Sequence, residues 1–423
     1  MKQPDKHPKD PARQTTGNPE PDRSRREFSK AAFCAPAMVT SIATGLAAAG
    51  LVPNAALAQS SMKPSPTGDV PKPTFKPVGV ERSKVLKILS GRNRPDLTPV
   101  YKMWEQLTGM KVDLTKISHL DAMELLIKHK SDPQFDLMIT NTMVEPEIAR
   151  PEGIFEPYKA SVAQSYESWL RAPDYGWVAI SAWPRTAMVN WATMGRDASK
   201  WPRKFEDLAA PEFKDKVALS SIQESIVTSY FSAMRSAKGD DWTGKTIDRI
   251  LDNGARIYKS HAQTRNALIR EGYGIALVNS SNSHVFFLDG NAVGEAWLDQ
   301  EPGGIGTYVE THTAGVVRGG RNPEAARNFI DFILSKEIQE FLARLYGEAP
   351  VNPAASGGWV RPIRDIRRMP VTGAQVAARF KDTQRFLTAK GFNMEDTEDF
   401  LLSSGRGGRR RDKDPGGNPA GKS

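Results

Sequence analysis

Small polar side chains follow several apolar, strand-like runs of the sequence at the points where those runs end. They form the stretches SGRNRP (90–95), TN (140–141), SIQES (221–225) and NSSNS (279–283). Hydroxyl and amide groups with a few arginines supply directed hydrogen-bond donors without filling a cleft. A turn that leads into a helix, as at 221–225, also offers unpaired backbone amides to a carboxylate or phosphate. These residue types predict a binding site for a polar or anionic molecule.

Two of these stretches also have a purely structural interpretation. Ser225 is suited to cap a helix whatever else it does, so the turn at 221–225 stays open between capping and ligand contact. The longer stretch ALVNSSNSHVFF (276–287) is consistent with a mere turn rich in Ser and Asn. We favour a ligand-binding interpretation for 276–287, in which small side chains at the end of a strand leave room for a solute.

No catalytic or cofactor-binding motif is found in the sequence. It contains no His-Glu-x-x-His, Gly-x-Ser-x-Gly, P-loop or Gly-x-Gly-x-x-Gly pattern. Five histidines beyond the N-terminal region are not paired at helical or strand spacing, so we expect surface or packing roles for them; they are His119, His129, His261, His284 and His312. The sequence therefore predicts no enzyme, no cofactor and no bound metal. A cofactor-free enzyme that brings carboxylates together in three dimensions is the alternative.

The segments that position these stretches alternate between strand-like and helix-like patterns. From Ser83 the order is strand, helix, strand, helix, strand, which predicts a mainly parallel α/β sheet with a ligand crevice at the carboxyl ends of its strands. A second α/β region begins near Arg185 and ends with a helix pair that breaks at Ser335 and stops at Gly347. The predicted strands are 85–89, 111–114, 135–140, 216–221, 274–279 and 310–317, and the predicted helices are 97–109, 118–130, 225–237 and two within 322–347.

The N-terminal sequence is typical of a twin-arginine export signal. SRREFSK (24–30) precedes an uncharged run to Ala58 that is rich in small residues. We predict cleavage after Ala58, a periplasmic mature protein, and the twin-arginine translocase as a partner during export. An uncleaved membrane anchor is the alternative. The only cysteine, Cys34, lies within this signal, which excludes disulfides, iron–sulfur clusters and cysteine-bound zinc from the mature chain.

The charge of the protein is concentrated in its ends. Of the net charge of +9, residues 1–58 hold eight basic and five acidic side chains and residues 404–423 hold six and two, so the body between them carries only +2. A nucleic-acid partner is therefore not expected. Residues 59–82, rich in Pro, Lys and Ser, are predicted to form a flexible linker. Residues 346–403 are predicted to be a partly helical C-terminal extension, and residues 404–423 a disordered basic tail.

Five longer phrases resemble periplasmic solute-binding proteins of the ferric-iron-binding type, which serve ABC transporters. They are VLKILSGR (85–92), FEPYKA (155–160), WVAISAWPRTAMVNW (177–191), WPRKFEDLAAPEFKDKVAL (201–219) and NPEAARNFIDFILSKEIQEF (322–341). The resemblance implies an α/β, two-lobed periplasmic-binding-protein fold of type 2, with two crossover strands and a ligand cleft between the lobes. It places lobe one at 83–182 and 312–345 and lobe two at 186–308, and it implies an ABC permease in the inner membrane as the partner.

The resemblance also indicates which residues contact the ligand. In that family the contacts come from the loops after the first and third strands, from the first crossover strand, and from the turn and strand end of lobe two. The matching positions are Ser90, Gly91, Arg92, Arg94, Thr140, Asn141, Arg185, Ser221, Ser225, Asn279, Ser280 and Asn282.

One departure from the family bears on the nature of the ligand. After ALVN, the ferric-binding members carry two adjacent tyrosines whose phenolates bind Fe³⁺, whereas this chain has SSNS at 280–283. Neutral hydroxyls and amides do not replace two phenolates, and the positive charge of Arg92 and Arg94 favours an anion. The predicted solute is a small oxyanion, such as a phosphonate, a phosphate ester or a carboxylate, bound by a monomer. The alternatives are ferric iron or an iron chelate, and a sensory role in place of transport.

Overall fold

The computed structural model of the protein describes residues 70–92, 97–117 and 119–393. The export signal with Cys34, the first part of the linker, Arg94 and the basic tail lie outside the described residues, and the predictions made for them stay predictions. Within the described part, no helix is both long and apolar enough to cross a membrane.

Strands and helices alternate along the described chain, and every strand and helix predicted from the sequence is present. The strands are β1 (Val85–Ser90), β2 (Lys111–Lys116), β3 (Leu137–Thr140), β4 (Phe155–Glu156), β5 (Val178–Asn190), β6 (Val217–Ser220), β7 (Arg256–Tyr258), β8 (Ile275–Asn279), β9 (Val293–Ala296) and β10 (Val309–Val317). The helices are α1 (Thr98–Thr108), α2 (His119–Lys128), α3 (Val144–Ala149), α4 (Trp191–Met194), α5 (Ser225–Lys238), α6 (Asp240–Asp252), α7 (His261–Arg270), α8 (Ser280–Leu288), α9 (Pro323–Ile333), α10 (Lys336–Tyr346) and α11 (Gly373–Thr388).

The strands form one curled sheet that consists of two halves. The strand order is β2-β1-β3-β10-β5-β8-β6-β7, with β4 paired to β10 and β9 paired to β5. The pairs β1–β2 and β1–β3 are parallel in the first half, and β6–β7 and β6–β8 are parallel in the second. We refer to the half built on β1–β4 and β10 as lobe one and to the half built on β6–β9 as lobe two.

The long strand β5 belongs to both lobes. Its first half pairs with β10 in antiparallel register, from Val178 opposite Ala314 to Pro184 opposite Val309. Its second half, from Arg185 onward, pairs with β8 and β9. Because proline has no backbone N–H to donate to a ladder, Pro184 is well suited to the point where β5 changes partner. Arg185 is thus the first residue of the second half.

Each lobe has its own hydrophobic core. In lobe one, α1 and α9 bury aromatic rings against each other, with the Trp104 and Phe329 ring centroids 5.4 Å apart. In lobe two, Phe231 packs against Phe205 with ring centroids 5.9 Å apart. This two-lobed arrangement of α/β halves joined by shared central strands confirms the predicted fold class. The helix pair of lobe one ends at Gly347, whose φ of 67° lies in the left-handed region that glycine adopts without strain.

Part of the predicted flexible linker lies against lobe one. The ring of Phe75 packs on Phe332, with centroids 5.8 Å apart. The backbone N–H of Val78 donates to Asn328 Oδ1 (2.8 Å), and Asn328 Nδ2 donates back to the Val78 carbonyl (2.9 Å). The linker from residue 70 onward therefore has an aromatic anchor and a reciprocal pair of hydrogen bonds, which its Pro- and Lys-rich composition did not indicate.

The C-terminal extension contains α11 and packs on helices of both lobes. The helix begins with a capping box formed by Thr372 and Gln375, and it contacts α5 of lobe two and α3, which follows β3 of lobe one. Arg235 of α5 forms an ion pair with Asp382 of α11 (2.7 Å). Beyond α11, the side chain of Phe392 is fully buried against Phe231 of α5, with ring centroids 5.5 Å apart. The extension is therefore an integral part of the lobe-two core.

We predict that Phe392→Ala lowers the free energy of unfolding by about 3–5 kcal/mol, because the substitution leaves a cavity beside Phe231 that the core cannot fully close. The matched control is Lys381→Ala on the exposed side of α11, for which we expect a change within about 0.5 kcal/mol. Urea unfolding followed by circular dichroism measures both. Equal stabilities of the two variants would show that the extension does not pack as described.

Candidate ligand site at the junction of the two lobes

Arg185 is a buried cation at the junction of the lobes. Its guanidinium is held by neutral acceptors: Nη1 donates to Asn279 Oδ1 (2.9 Å) and faces His261 Nε2 (3.0 Å), and Nη2 donates to the Leu277 carbonyl (3.0 Å). Nε has no hydrogen-bond partner among the described residues, and none of their carboxylates forms an ion pair with this arginine. Burial lowers the pKa of Arg185 to about 10, so the side chain stays charged at neutral pH. The guanidinium also lies over the ring of Tyr230, 5.4 Å from its centroid, and the nearby carboxylate of Glu224 favours the charged form. The protein thus keeps a positive charge at the junction without a direct ion-pair partner among the described residues.

The turn at 221–225 lies next to this arginine through His261, whose backbone N–H donates to Glu224 Oε1 (3.1 Å). Ser221 serves the turn itself, because its hydroxyl donates to the Lys259 carbonyl (2.9 Å) and accepts from the backbone of Gln223 (3.2 Å). Ser225 is the first residue of α5, is 8% exposed, and its Oγ has no partner among the described residues. Ser225 is therefore the hydroxyl of this turn that is available to a ligand.

The C-terminal extension closes one backbone amide of the same turn. The N–H of Ile222 donates to the carbonyl of Phe392 (3.0 Å). The sequence predicted that the backbone amides of this turn are available to an anion, but the amide of Ile222 is already hydrogen-bonded within the protein. The carboxylate of Glu224, at the N-cap of α5, further offsets the positive end of the helix.

The stretch at 279–283 forms the start of a helix. Strand β8 ends at Asn279, whose backbone is extended, and α8 begins at Ser280 with no loop between them. Ser280 is buried and its Oγ has no partner among the described residues, whereas Asn282 is partly exposed. The alternative of a mere turn is wrong, because the strand continues directly into a helix that packs on β5 and β9. Whether Asn279, Ser280 and Asn282 contact a ligand stays a prediction.

Arg92, the other arginine predicted to bind the ligand, is paired inside the protein. Its guanidinium donates to both carboxylate oxygens of Glu348 (2.5 and 3.2 Å), and both side chains are 1% exposed. Burial alone would raise the pKa of Glu348, but the charge of Arg92 and the neighbouring His312 bring it down to about 2. The positive charge of Arg92 is therefore compensated before any ligand arrives, and its ligand contact stays a prediction.

The other predicted residues of lobe one line the ends of β1 and β3. The hydroxyl of Ser90 accepts from the backbone of Arg92 (3.2 Å), and the N–H of Gly91 donates to the Ile139 carbonyl (2.9 Å). Thr140 donates to the Thr142 carbonyl (2.8 Å), and Asn141 is partly exposed. These contacts hold the two loop starts side by side, as expected for neighbouring parallel strands.

Strand β10 contributes polar residues that the sequence analysis did not select. Glu310 is fully buried; its carboxyl accepts from the backbone of Met143 (2.9 Å), from its own neighbour Thr311 (3.0 Å) and from the hydroxyl of Tyr308 (2.8 Å). Burial raises the pKa of Glu310 to about 8. The signal was present in the sequence as ETHT (310–313), a charged residue and a histidine within an otherwise apolar strand.

An aromatic pair lies beside this carboxyl. The rings of Trp183 on β5 and His312 on β10 stack with centroids 5.0 Å apart. Trp183 Nε1 and His312 Nδ1 have no partner among the described residues. The junction therefore contains several buried polar atoms that a bound solute or water can satisfy.

The described residues contain no group of three or more His, Cys, Asp or Glu side chains placed to hold a metal ion. Position 280, where the ferric-binding proteins are expected to begin their tyrosine pair, carries a neutral hydroxyl. The donors that the junction offers are cationic or neutral, which suits the anionic oxygens of a ligand better than a bare cation.

The two lobes, the strand that joins them and the buried polar junction define a two-lobed solute-binding protein. A model of the family described as bacterial extracellular solute-binding protein matches residues 132–360, more than half of the 423-residue chain, and the protein belongs to this family. The recognition from sequence as a periplasmic solute-binding protein of the ferric-iron-binding type is confirmed.

The names of similar proteins mention different ligands. "Iron uptake protein A1" of Synechocystis is 24% identical over 276 residues, which cover 63% of this chain and 75% of that protein. A structure of a Trichodesmium protein (IdiA, FutA) in complex with iron and citrate ligands is 19% identical, with a TM-score of 0.62 and coverage of 73% and 100%. The periplasmic binding protein AfuA of Actinobacillus pleuropneumoniae, with fructose-6-phosphate bound, is 17% identical, with a TM-score of 0.61 and coverage of 72% and 98%. Several other matches are named as ferric-binding proteins.

We predict that Glu348→Gln lowers the free energy of unfolding by about 3 kcal/mol, because it removes the carboxylate that pairs with the buried guanidinium of Arg92. The double variant Arg92→Met/Glu348→Leu should regain most of this loss, since it removes both charges. Glu81→Gln, which breaks an exposed pair with Lys84, should cost less than about 1 kcal/mol. Urea unfolding at pH 7 compares the three. A double variant as unstable as the single one would contradict the ion-pair assignment.

A second prediction concerns pH. Because the folded-state pKa of Glu310 is raised to about 8, the folded protein retains a proton that the unfolded chain loses from about pH 4.5 upward. The contribution of Glu310 to the free energy of unfolding is complete below that range and is lost as the pH rises toward 8, with a slope of up to about 1.4 kcal/mol per pH unit.

In Glu310→Gln, which mimics the protonated form, the part of the slope that comes from Glu310 should disappear. Glu295, whose pKa burial raises to about 7, titrates in the same window in both proteins, so the difference isolates Glu310. Urea unfolding between pH 5 and 8 is the measurement, and equal slopes would refute the assignment.

Proposed function

We propose that the protein captures a solute with an anionic oxygen group in the periplasm and delivers it to an ABC permease. The observation that carries this proposal is Arg185, a buried cation that is held by neutral groups and lacks a carboxylate partner among the described residues. A buried charge of this kind is costly unless a partner compensates it, and a solute closed in between the lobes is such a partner.

Iron, bound as a complex with an anionic chelator, is the ligand that we favour. The relatives support iron more strongly than the phosphonate, phosphate ester or carboxylate predicted as the main ligand from the sequence. The residues at 280–283 and the absence of a cluster of His, Asp and Glu in the described part of the chain do not suit bare Fe³⁺. A chelator such as citrate supplies the anionic oxygens to the metal itself and presents outer carboxylates to Arg185 and Ser225. This resolves the apparent conflict between iron-binding relatives and a site without phenolates.

A phosphorylated solute is the second candidate. The similar fold of AfuA holds fructose-6-phosphate. A phosphate group suits the Arg185 guanidinium together with the Ser225 hydroxyl equally well. Both candidates share the anionic oxygen group, and they differ in whether metal is needed.

Binding assays with purified protein separate the candidates. Isothermal titration calorimetry is carried out with ferric citrate, citrate alone, fructose-6-phosphate and ferric nitrilotriacetate. We expect ferric citrate to bind and citrate alone to bind at least about tenfold more weakly. Strong binding of fructose-6-phosphate without metal would replace the first candidate with the second. Transfer of iron from ferric nitrilotriacetate without retention of any anion would refute the proposed ligand class.

Arg185→Met tests the residue that carries the proposal. We expect it to weaken ferric citrate binding by at least about 100-fold, the loss of a buried charge-assisted contact. The melting temperature of the variant is measured alongside, because the substitution removes a buried charge but also leaves acceptors on Asn279, His261 and Leu277 unpaired. Arg256→Ala, an exposed arginine of lobe two, is the control and should bind as the unsubstituted protein does. Wild-type affinity in Arg185→Met would eliminate the arginine as the anchor.

A further inference from the structure

His261 connects three parts of the junction that are far apart in the sequence. It is the first residue of α7 and is 6% exposed. Its Nε2 lies 3.0 Å from Arg185 Nη1, its Nδ1 lies 2.7 Å from Ser220 Oγ, and its backbone N–H donates to Glu224. The sequence analysis expected only a surface or packing role for this histidine, and the function proposed above does not use it.

The partners of His261 fix the position of its proton. A guanidinium nitrogen only donates, so Nε2 of His261 has to accept from Arg185 and Nδ1 has to carry the proton. Nδ1 then donates to Ser220 Oγ, which donates to Thr264 Oγ1 (2.7 Å), which in turn donates to the Ser260 carbonyl (2.9 Å). This chain of donors has a consistent direction only when the imidazole is neutral. Burial and the charges of Arg185 and Arg265 act in the same sense, because they hold the pKa of His261 well below its usual range.

A neutral acceptor at this position has a consequence for Arg185. His261 and Asn279 together orient the Nη1 end of the guanidinium, and the Leu277 carbonyl holds Nη2. These three acceptors fix the plane of the group without cancelling its charge. An Asp or Glu at position 261 would orient the arginine as well, but it would supply internally the negative charge that the site otherwise takes from a ligand.

We propose that His261 is a positioning residue for ligand binding: it holds the Arg185 guanidinium in a fixed orientation without forming an ion pair with it, so that the unpaired Nε edge meets the anionic oxygens of the solute. The inference rests on the proposed function for the nature of the ligand. It makes the pair Arg185–His261, rather than the arginine alone, the determinant of anion selectivity.

Three substitutions at one position separate orientation from charge. His261→Gln places an amide oxygen near the Nε2 position, His261→Phe keeps the ring without an acceptor, and His261→Glu adds an acceptor that is negatively charged. With ferric citrate as the probe, we expect a dissociation constant within about threefold of wild type for Gln and an increase of about tenfold for Phe. For Glu we expect an increase of at least about 100-fold, together with a melting temperature no lower than that of the Gln variant. His129→Phe, on lobe one, is the control and should bind normally.

If His261 has only a structural role, the affinity of each variant for ferric citrate should instead follow its melting temperature. Binding by His261→Glu as tight as that by His261→Gln would overturn the proposal, and so would wild-type affinity in His261→Phe. If wild-type protein binds neither ferric citrate nor fructose-6-phosphate, the proposed function fails, and a readout without ligand then decides on His261. The ¹⁵N–¹H NMR signals of the Arg185 side chain should be resolved and slow to exchange in wild type and in His261→Gln, and averaged in His261→Phe. Unchanged signals in His261→Phe would refute the positioning role independently of any ligand.

Discussion

The change of pairing partner along β5 is the constraint on which the arrangement of the site depends. One continuous strand is hydrogen-bonded to β10 up to Pro184 and to β8 from Arg185 onward. The backbone of Arg185 pairs with Asn279 on one side and donates to the Tyr308 carbonyl on the other, whereas its side chain contacts residues of lobe two. The arginine therefore has little freedom to move away from its neutral partners, and the cost of its burial cannot be relieved by exposing it to water. In the proposed function, an anionic ligand lowers that cost.

Two of the buried arginines, Arg92 and Arg185, show how the same residue type is used for opposite purposes. Arg92 and Glu348 compensate each other within lobe one, which fixes the loop after β1 to the end of α10. The guanidinium of Arg185 donates to the amide of Asn279, the imidazole of His261 and the carbonyl of Leu277. These groups orient the guanidinium but carry no negative charge to pair with it. The first arrangement stabilises the fold, and in the proposed function the second leaves the guanidinium available to a ligand. The difference arises entirely from the chemistry of the acceptors.

The order of strands and helices was predictable, because apolar periodicity, capping residues and terminal glycines act over a few neighbouring positions. The helix pair that breaks at Ser335 and ends at Gly347 illustrates this. The partners of the arginines were not predictable in the same way. Glu348 is 256 residues from Arg92 and His261 is 76 residues from Arg185, so both pairs exist only through the sheet topology. The start of α8 was not predictable for another reason. Serine and asparagine are as common in turns as at the first positions of helices, so the local sequence pattern does not separate a turn from a helix start.

The hydrogen bond between Ile222 and Phe392 links the ligand site to the order in which the chain is synthesised. The turn that starts α5 is made before the carbonyl that closes its Ile222 amide, which comes from Phe392, 170 residues further along the chain. The site is therefore incomplete on any chain that stops before residue 392. The α5 turn therefore reaches its final form only after the C-terminal extension has been made and has packed against lobe two.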